Sequence, residues 1–156
     1  MKRLPKLVVS IALCEAVGLL TTPFTVAAIP EWYASLIKPS FSPPNWIFGP
    51  VWTLLYFLMG VSFFLVWQLG WKKKKVQTAV YYFGAQIALN FLWSIAFFGL
   101  RSPLLGLINI ITLLLFIILT MRHFYPLSKP AFYLLVPYLL WVSFASLLNA
   151  AIVVLN

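Results

Sequence analysis

Three stretches of this sequence carry indoles, amides and small residues at helical spacing. Gln86, Asn90, Trp93 and Phe97 recur at i, i+4, i+7 and i+11, so they share one face of any helix that contains them. Trp52, Tyr56, Gly60 and Phe63 do the same, as do Trp141, Ala145 and Asn149, with Ser146 beside them. Aromatic planes stack on a flat apolar ligand, small residues leave it room, and amide or indole N–H groups hold its polar edge. The same groups can instead bond one another and hold helices together, at about 0.6 kcal/mol per interhelical bond. From the residues alone both readings stand.

Acid–base and nucleophilic chemistry have little to work with. The chain has no aspartate, and its one histidine, His123, lies at the end of an apolar run, so no Ser/His/Asp set can assemble. Cys14 is the single cysteine, which excludes an intrachain disulfide and a cysteine-based metal cluster. Metal-ligand spacings and glycine-rich phosphate loops are missing from the sequence, so neither a metal nor a cofactor is expected. Glu15 is the only carboxylate inside an apolar run; it either serves a proton or a substrate, or extends toward lipid head groups. One acid without a basic partner at similar depth argues against a proton-driven pump. Any chemistry would come from a ligand and from Trp or Tyr side chains.

The elements that must position these residues follow from composition. Of 156 residues, 63% are hydrophobic and 8% are charged, whereas a soluble domain carries roughly a quarter charged residues. The outside must therefore be as apolar as the core, and the solvent is lipid. Five apolar runs, at about 7–29, 47–69, 76–100, 104–121 and 132–155, each approach the ~20 residues that a bilayer-spanning helix needs. Continuous runs, rather than alternating ten-residue segments, favour helices over a β-barrel. The expected fold is an all-α membrane protein: a single transmembrane domain over residues 1–156, folded as a five-helix bundle. The first run follows Lys2, Arg3 and Lys6 but is long enough to span, and it reads as a retained helix. Pro137 is expected to bend the fifth helix just before Trp141.

Three connections are short, which forces antiparallel neighbours. The first, Pro30 to Trp46, is long and reads PEWYASLIKPSFSPPNW. Its prolines limit flexibility, and Trp32, Tyr33, Leu36, Phe41 and Trp46 give it side chains with which to fold back. It is read as a structured lid, although an interfacial aromatic belt would have a similar composition. The formal charge of +9 would suggest nucleic acid in a soluble protein. Here the cations occupy the gaps between apolar runs, where they orient helices and meet anionic lipid, so nucleic acid is not expected. Lys2, Arg3, Lys6, Lys72, Lys73, Lys74, Lys75, Arg122 and Lys129 fall on one side, and Lys38 and Arg101 on the other. In a prokaryotic plasma membrane that bias places the N-terminus in the cytoplasm, with the long loop and the C-terminus outside.

The segment WYASLIKPSFSPPNWIFGPVWTLLYFLMG (Trp32 to Gly60) closely resembles the signature of the translocator proteins, also called tryptophan-rich sensory proteins or peripheral-type benzodiazepine receptors. ALNFLWSIAFFGLRSP (Ala88 to Pro103) and PYLLWVSFASLLN (Pro137 to Asn149) continue the likeness in order over nearly the whole chain. The resemblance implies a five-helix bundle, commonly dimeric, with a pocket beneath the first loop. It implies binding of porphyrins or other tetrapyrroles, of cholesterol in animal members, and of synthetic isoquinoline or benzodiazepine ligands. By motif, Trp52 and Trp141 are implied in ligand binding and, in some bacterial relatives, in light-dependent porphyrin breakdown. They are therefore the catalytic candidates if the protein is an enzyme. Asn90 and Ala145 match pocket-lining positions, with Trp32, Tyr33, Pro43, Pro44, Ile47 and Trp93 as neighbours. With Tyr56, Gln86 and Asn149 from the helical stripes, these make up the candidate ligand-binding set. The family's cholesterol-recognition element requires a tyrosine and a following basic residue near the end of the fifth helix. This chain reads SLLNAAIVVLN there, so tetrapyrroles are the better expectation. Asn109 stands where the fourth helix of the family often carries an aspartate.

Overall fold

In the computed structural model, which describes residues 3–156, six α-helices form five spans. Lys2, counted among the cations above, lies outside the described residues. Helix α1 covers Arg3–Ala28 and continues as a wide π-helical turn, Ile29–Tyr33. A 3₁₀ turn, Asn45–Ile47, leads into α2, Phe48–Trp67. Helix α3, Lys74–Ser94, also ends in a π turn, Ile95–Gly99. Helix α4 is Pro103–Phe124, and the fifth span is divided into α5, Lys129–Leu134, and α6, Val136–Leu155. All five spans are long and apolar enough to cross a bilayer. The chain is a membrane-spanning helical bundle.

Several boundaries differ from the expectation, each for a local reason. The first span begins at Arg3 and runs to Tyr33, so Pro30 does not end it. A proline ring clashes with the carbonyl four residues back in an α-turn, and the wider turn at Ile29–Tyr33 accommodates it. The irregular part of the first connection is accordingly shorter. Helix α4 extends past Met121 to Phe124, with Arg122 and His123 in its last turn, where cations suit the negative end of the helix dipole. Its start is capped by Ser102, whose Oγ accepts from the Leu105 N–H at 3.3 Å. Ser128 likewise caps α5 by accepting from the Ala131 N–H. The expected bend at Pro137 is a break two residues earlier, at Leu135, where the missing Pro137 N–H leaves the Tyr133 carbonyl without its helical donor.

That break divides the bundle's packing. Helix α1 packs on α2, α3 on α4, and α4 on α6. Helix α2 packs on the short α5 and barely touches α6. In the half of the bundle away from the long connection, the helices meet closely. At Gly60 an added Cβ would lie 2.5 Å from the Ile11 Cα, so only glycine permits this approach of α2 to α1. Phe63, Phe83 and Phe124 stack in a column, with ring centroids 4.9 and 5.8 Å apart. The Ser62 hydroxyl donates to the Ala131 carbonyl at 2.7 Å, fastening α2 to α5.

The first connection is ordered by its own contacts. Trp32 and Tyr33 pack edge-on against Phe97 of the second π turn, and Phe41 against Phe144 of α6. Lys38 Nζ donates to the Tyr33 and Leu36 carbonyls and lies 4.8 Å from the Tyr33 ring. The Asn156 side chain accepts from the Ile37 N–H at 3.0 Å and donates to the Ile37 carbonyl at 2.9 Å, pinning the loop to the end of α6. Trp46, by contrast, is 74% exposed, as an interfacial anchor would be.

Candidate functional site

Where α2 and α6 part, a cavity of about 320 Å³ lies between α1, α2, α3 and α6, beneath the long connection. Its walls are mostly aromatic and aliphatic: Phe48 and Trp52 from α2, Trp93 and Phe97 from the third span, Trp141 and Leu148 from α6. The size is at the lower end for small-molecule sites. Leu19, Thr22 and Val26 of α1 and Thr53 of α2 line it and are also exposed, so the cavity reaches the lipid-facing surface between these two helices.

The floor is a chain of buried hydrogen bonds. Tyr56 Oη donates to Asn90 Oδ1 at 2.6 Å, and Asn90 Nδ2 donates to Tyr138 Oη at 2.9 Å. Tyr138 Oη in turn donates to Gln86 Oε1 at 2.8 Å. These four side chains, all buried, tie α2, α3 and α6 together; Tyr56 and Asn90 belong to the hollow's lining, and Tyr138 and Gln86 do not. A second network crosses the far wall: Trp93 Nε1 donates to Asn149 Oδ1 at 3.2 Å, and Asn149 Nδ2 to the Pro103 carbonyl at 2.8 Å. The amides expected to hold a ligand's polar edge are thus largely engaged with protein partners. The helix-gluing reading of these stripes holds for the amides, of which Asn90 and Asn149 also form part of the cavity's lining.

Of the candidate residues, Tyr33, Trp52, Tyr56, Asn90, Trp93, Trp141, Ala145 and Asn149 line this one cavity. Trp32, Pro43, Pro44, Ile47 and Gln86 do not. Gln86 lies one turn further from the loop than Asn90, which takes it out of the lining to the far end of the floor, where its carbonyl oxygen accepts from Tyr138 Oη. Trp32 is held on Phe97, outside the lining. Pro43 and Pro44 stay in the connection and Ile47 in the 3₁₀ turn; Asn45 is the residue of that stretch that reaches the wall.

Apart from Glu15, sequence reasoning missed the wall that α1 and the turn after it supply: Gly18, Thr21, Thr22 and Thr25, followed by Ile29. The signal was there in Gly18, Thr21 or Thr22, and Thr25, a small and hydroxyl-bearing stripe at i, i+3/i+4 and i+7. Gly18 is needed because a Cβ there would come 2.8 Å from the Tyr56 ring. The threonine hydroxyls donate to carbonyls of their own helix, leaving lone pairs but few protons for a ligand.

The polar groups left over are few. Trp141 Nε1 is buried and has no hydrogen-bond partner. Glu15 is the one ionisable acid in the lining, and no lysine, arginine or histidine is part of it. Such a site suits binding by stacking and burial, with one or two directional contacts at the edge. Among the described residues no cluster of three or more His, Cys, Asp or Glu could hold a metal ion.

Comparison with known proteins gives this geometry its context. Residues 10–155 match the TspO/MBR family. The chain belongs to that family. It is 49% identical to the tryptophan-rich protein TspO of Chlorobaculum tepidum, over 99% of this chain and 98% of that protein. With the tryptophan-rich protein TspO of Archaeoglobus fulgidus it shares 50% identity over 97% of each. The human translocator protein is 39% identical across 76% of this chain and 71% of its own length. This TspO/MBR protein has five membrane spans and an aromatic cavity beneath its first loop.

Proposed function

We propose that the loop-side cavity is a receptor or carrier site for flat, mostly apolar ligands of the porphyrin (tetrapyrrole) class, serving tetrapyrrole handling or stress signalling. The observation that carries this reading is the convergence of Trp52, Trp93 and Trp141 from three spans onto one hollow. Planar side chains on opposing walls select a planar guest. Trp141 Nε1 has no protein partner and no accessible surface of its own, so a small turn of the indole is what brings it to a ligand acceptor; an unmet donor of this kind costs about 1–3 kcal/mol. Glu15, with no cation in the lining, directs a propionate-bearing ring to keep its acids at the mouth. A macrocycle larger than the cavity extends through the opening between α1 and α2, which also serves as the route in from lipid. Sterols and isoquinoline- or benzodiazepine-type ligands fit the same apolar walls less specifically.

The arrangement fits a multi-pass protein of a plasma membrane, with the lysine-rich end in the cytoplasm and the loop outside. Gly84 and Ala88 are both exposed on α3, and an added Cβ at Gly84 would meet nothing within 4 Å. That small-residue face is available for a homodimer contact.

The test is titration of the purified protein with protoporphyrin, followed by tryptophan fluorescence. Saturable quenching is expected. Trp141→Phe should weaken binding about tenfold, the value of one lost hydrogen bond, while leaving thermal stability nearly unchanged. Non-saturable quenching, or equal affinity in Trp141→Phe and Trp52→Phe, would remove the reading. A second reading, photo-oxidative breakdown of bound porphyrin, is favoured by the two indoles, Trp52 and Trp141, on the walls of one hollow. It expects loss of porphyrin absorbance under illumination in air, and markedly slower loss in the Trp52→Phe, Trp141→Phe double variant.

A further inference from the structure

At the opposite end of the bundle, the start of α3 and the end of α4 lie side by side, and a groove of about 340 Å³ runs between them. Lys74, Lys75 and Thr78 line it from α3, Arg122 and His123 from α4, and Pro126 and Leu127 from the link that follows. Lys74, Lys75 and Arg122 are exposed. The chain's two carboxylates lie elsewhere, Glu15 in the wall of the other cavity and Glu31 in the first π turn. No acidic side chain of the protein therefore offsets the groove's positive charge.

Of the groove's cations, Lys74, Lys75 and Arg122, helix energetics account only for Arg122. Arg122 and His123 are in the last turn of α4, where positive charge is favourable. Lys74 and Lys75 are in the first turn of α3, where unpaired N–H groups already make the end positive, and Lys73 provides no side-chain cap. Lysines there add to the helix field. An anion in the groove would meet all of these at once.

His123 is held in a defined state. Its Nδ1 lies 2.8 Å from the Leu119 carbonyl, which can only accept, so Nδ1 carries a proton. The ring stacks on Tyr82, with centroids 4.5 Å apart and planes 22° from parallel. Nε2 is left for an outside partner, to accept from a phosphate hydroxyl or, when protonated, to donate to a phosphate oxygen.

We infer that this groove is a binding site for a phosphate-bearing anion, with Lys74, Lys75 and Arg122 supplying charge and His123 a directional contact. Two sources share that chemistry: the phosphodiester of an anionic phospholipid at the membrane surface, and free phosphate. Basic recesses between spans at a lipid surface characteristically hold anionic head groups.

The test uses the full chain and two double variants that remove the same charge. Lys75→Gln with Arg122→Gln empties the groove of two cations, and Lys72→Gln with Lys129→Gln removes two outside it. Retention of phosphatidylglycerol against phosphatidylcholine is read by native mass spectrometry, and inorganic phosphate is titrated separately by thermal shift. The unaltered chain should retain phosphatidylglycerol selectively. The groove variant should lose roughly tenfold or more of that preference, and the outer variant no more than about twofold. Stabilisation by inorganic phosphate without lipid selectivity, abolished in the groove variant alone, would also support the site and assign it to free phosphate. Equal losses in both doubles would show a diffuse charge effect and overturn the proposal, as would full retention in the groove variant. Lys75→Arg with Arg122→Lys keeps the charge and should keep binding, which separates loss of the site from loss of the fold.

Discussion

The half of the bundle around Met59, Ser62 and Phe83 and the half around Trp52, Trp93 and Trp141 are built from the same spans, yet one is closed and the other hollow. In the closed half Phe63, Phe83 and Phe124 lie nearly parallel, with interplanar angles of 8° and 16°, and Gly60 brings two backbones together. In the hollow half ring contacts are mixed: Phe48–Trp141 and Trp52–Tyr138 meet edge to face at 71° and 69°, while Trp93 and Phe97 stack at 19°. Both halves are apolar and aromatic. The difference is how near the backbones come, which depends on small residues at crossing points and on the break that carries α6 away from α2.

The largest test of that contrast is Gly60→Leu, which must push α1 away from α2. It should destabilise the protein by about 3 kcal/mol, measured by reversible unfolding in detergent. Gly49, which lines the cavity, has nothing within 4 Å of an added Cβ, so Gly49→Ala should stay within about 0.5 kcal/mol. Similar losses at both sites would mean that the two halves are equally packed.

A smaller effect is expected at the boundary between them. Tyr138→Phe removes the hydroxyl that accepts from Asn90 and donates to Gln86, stranding both buried amides. It should cost about 1–3 kcal/mol in the same assay. An unchanged unfolding midpoint would mean that the floor is not what separates the halves. The smallest effect belongs to the lid. Asn156→Ala frees the Ile37 N–H and carbonyl, both solvent-accessible, and should cost less than about 1 kcal/mol. Its signature is faster amide exchange at Ile37, with the floor residues unchanged.

Much of the site was legible before any coordinates, and the exceptions share one cause. Period 3.6 identifies which residues of one span share a face, and Trp52, Asn90, Trp141 and Asn149, drawn from three such faces, all line the hollow. It does not give depth. Gln86 and Asn90 share a face but are about 6 Å apart along the axis, enough to leave Gln86 out of the lining and Asn90 in it. Nor does it identify hydrogen-bond partners: Asn90 is occupied by Tyr56 and Tyr138, and Trp93 by Asn149, each from another span. The α1 wall went unread because threonines that bond their own helix behave as small apolar residues in a span.

By itself, the sequence determined that this chain crosses a membrane five times, because lipid permits only long apolar helices and confines cations to their ends. It also determined which faces carry indoles and amides, because helical periodicity is a local property. Only the tertiary structure decided where the hollow lies, that α1 walls it, and which amides are already engaged. Those outcomes depend on where backbones separated by many residues approach or part, and no local pattern encodes that distance.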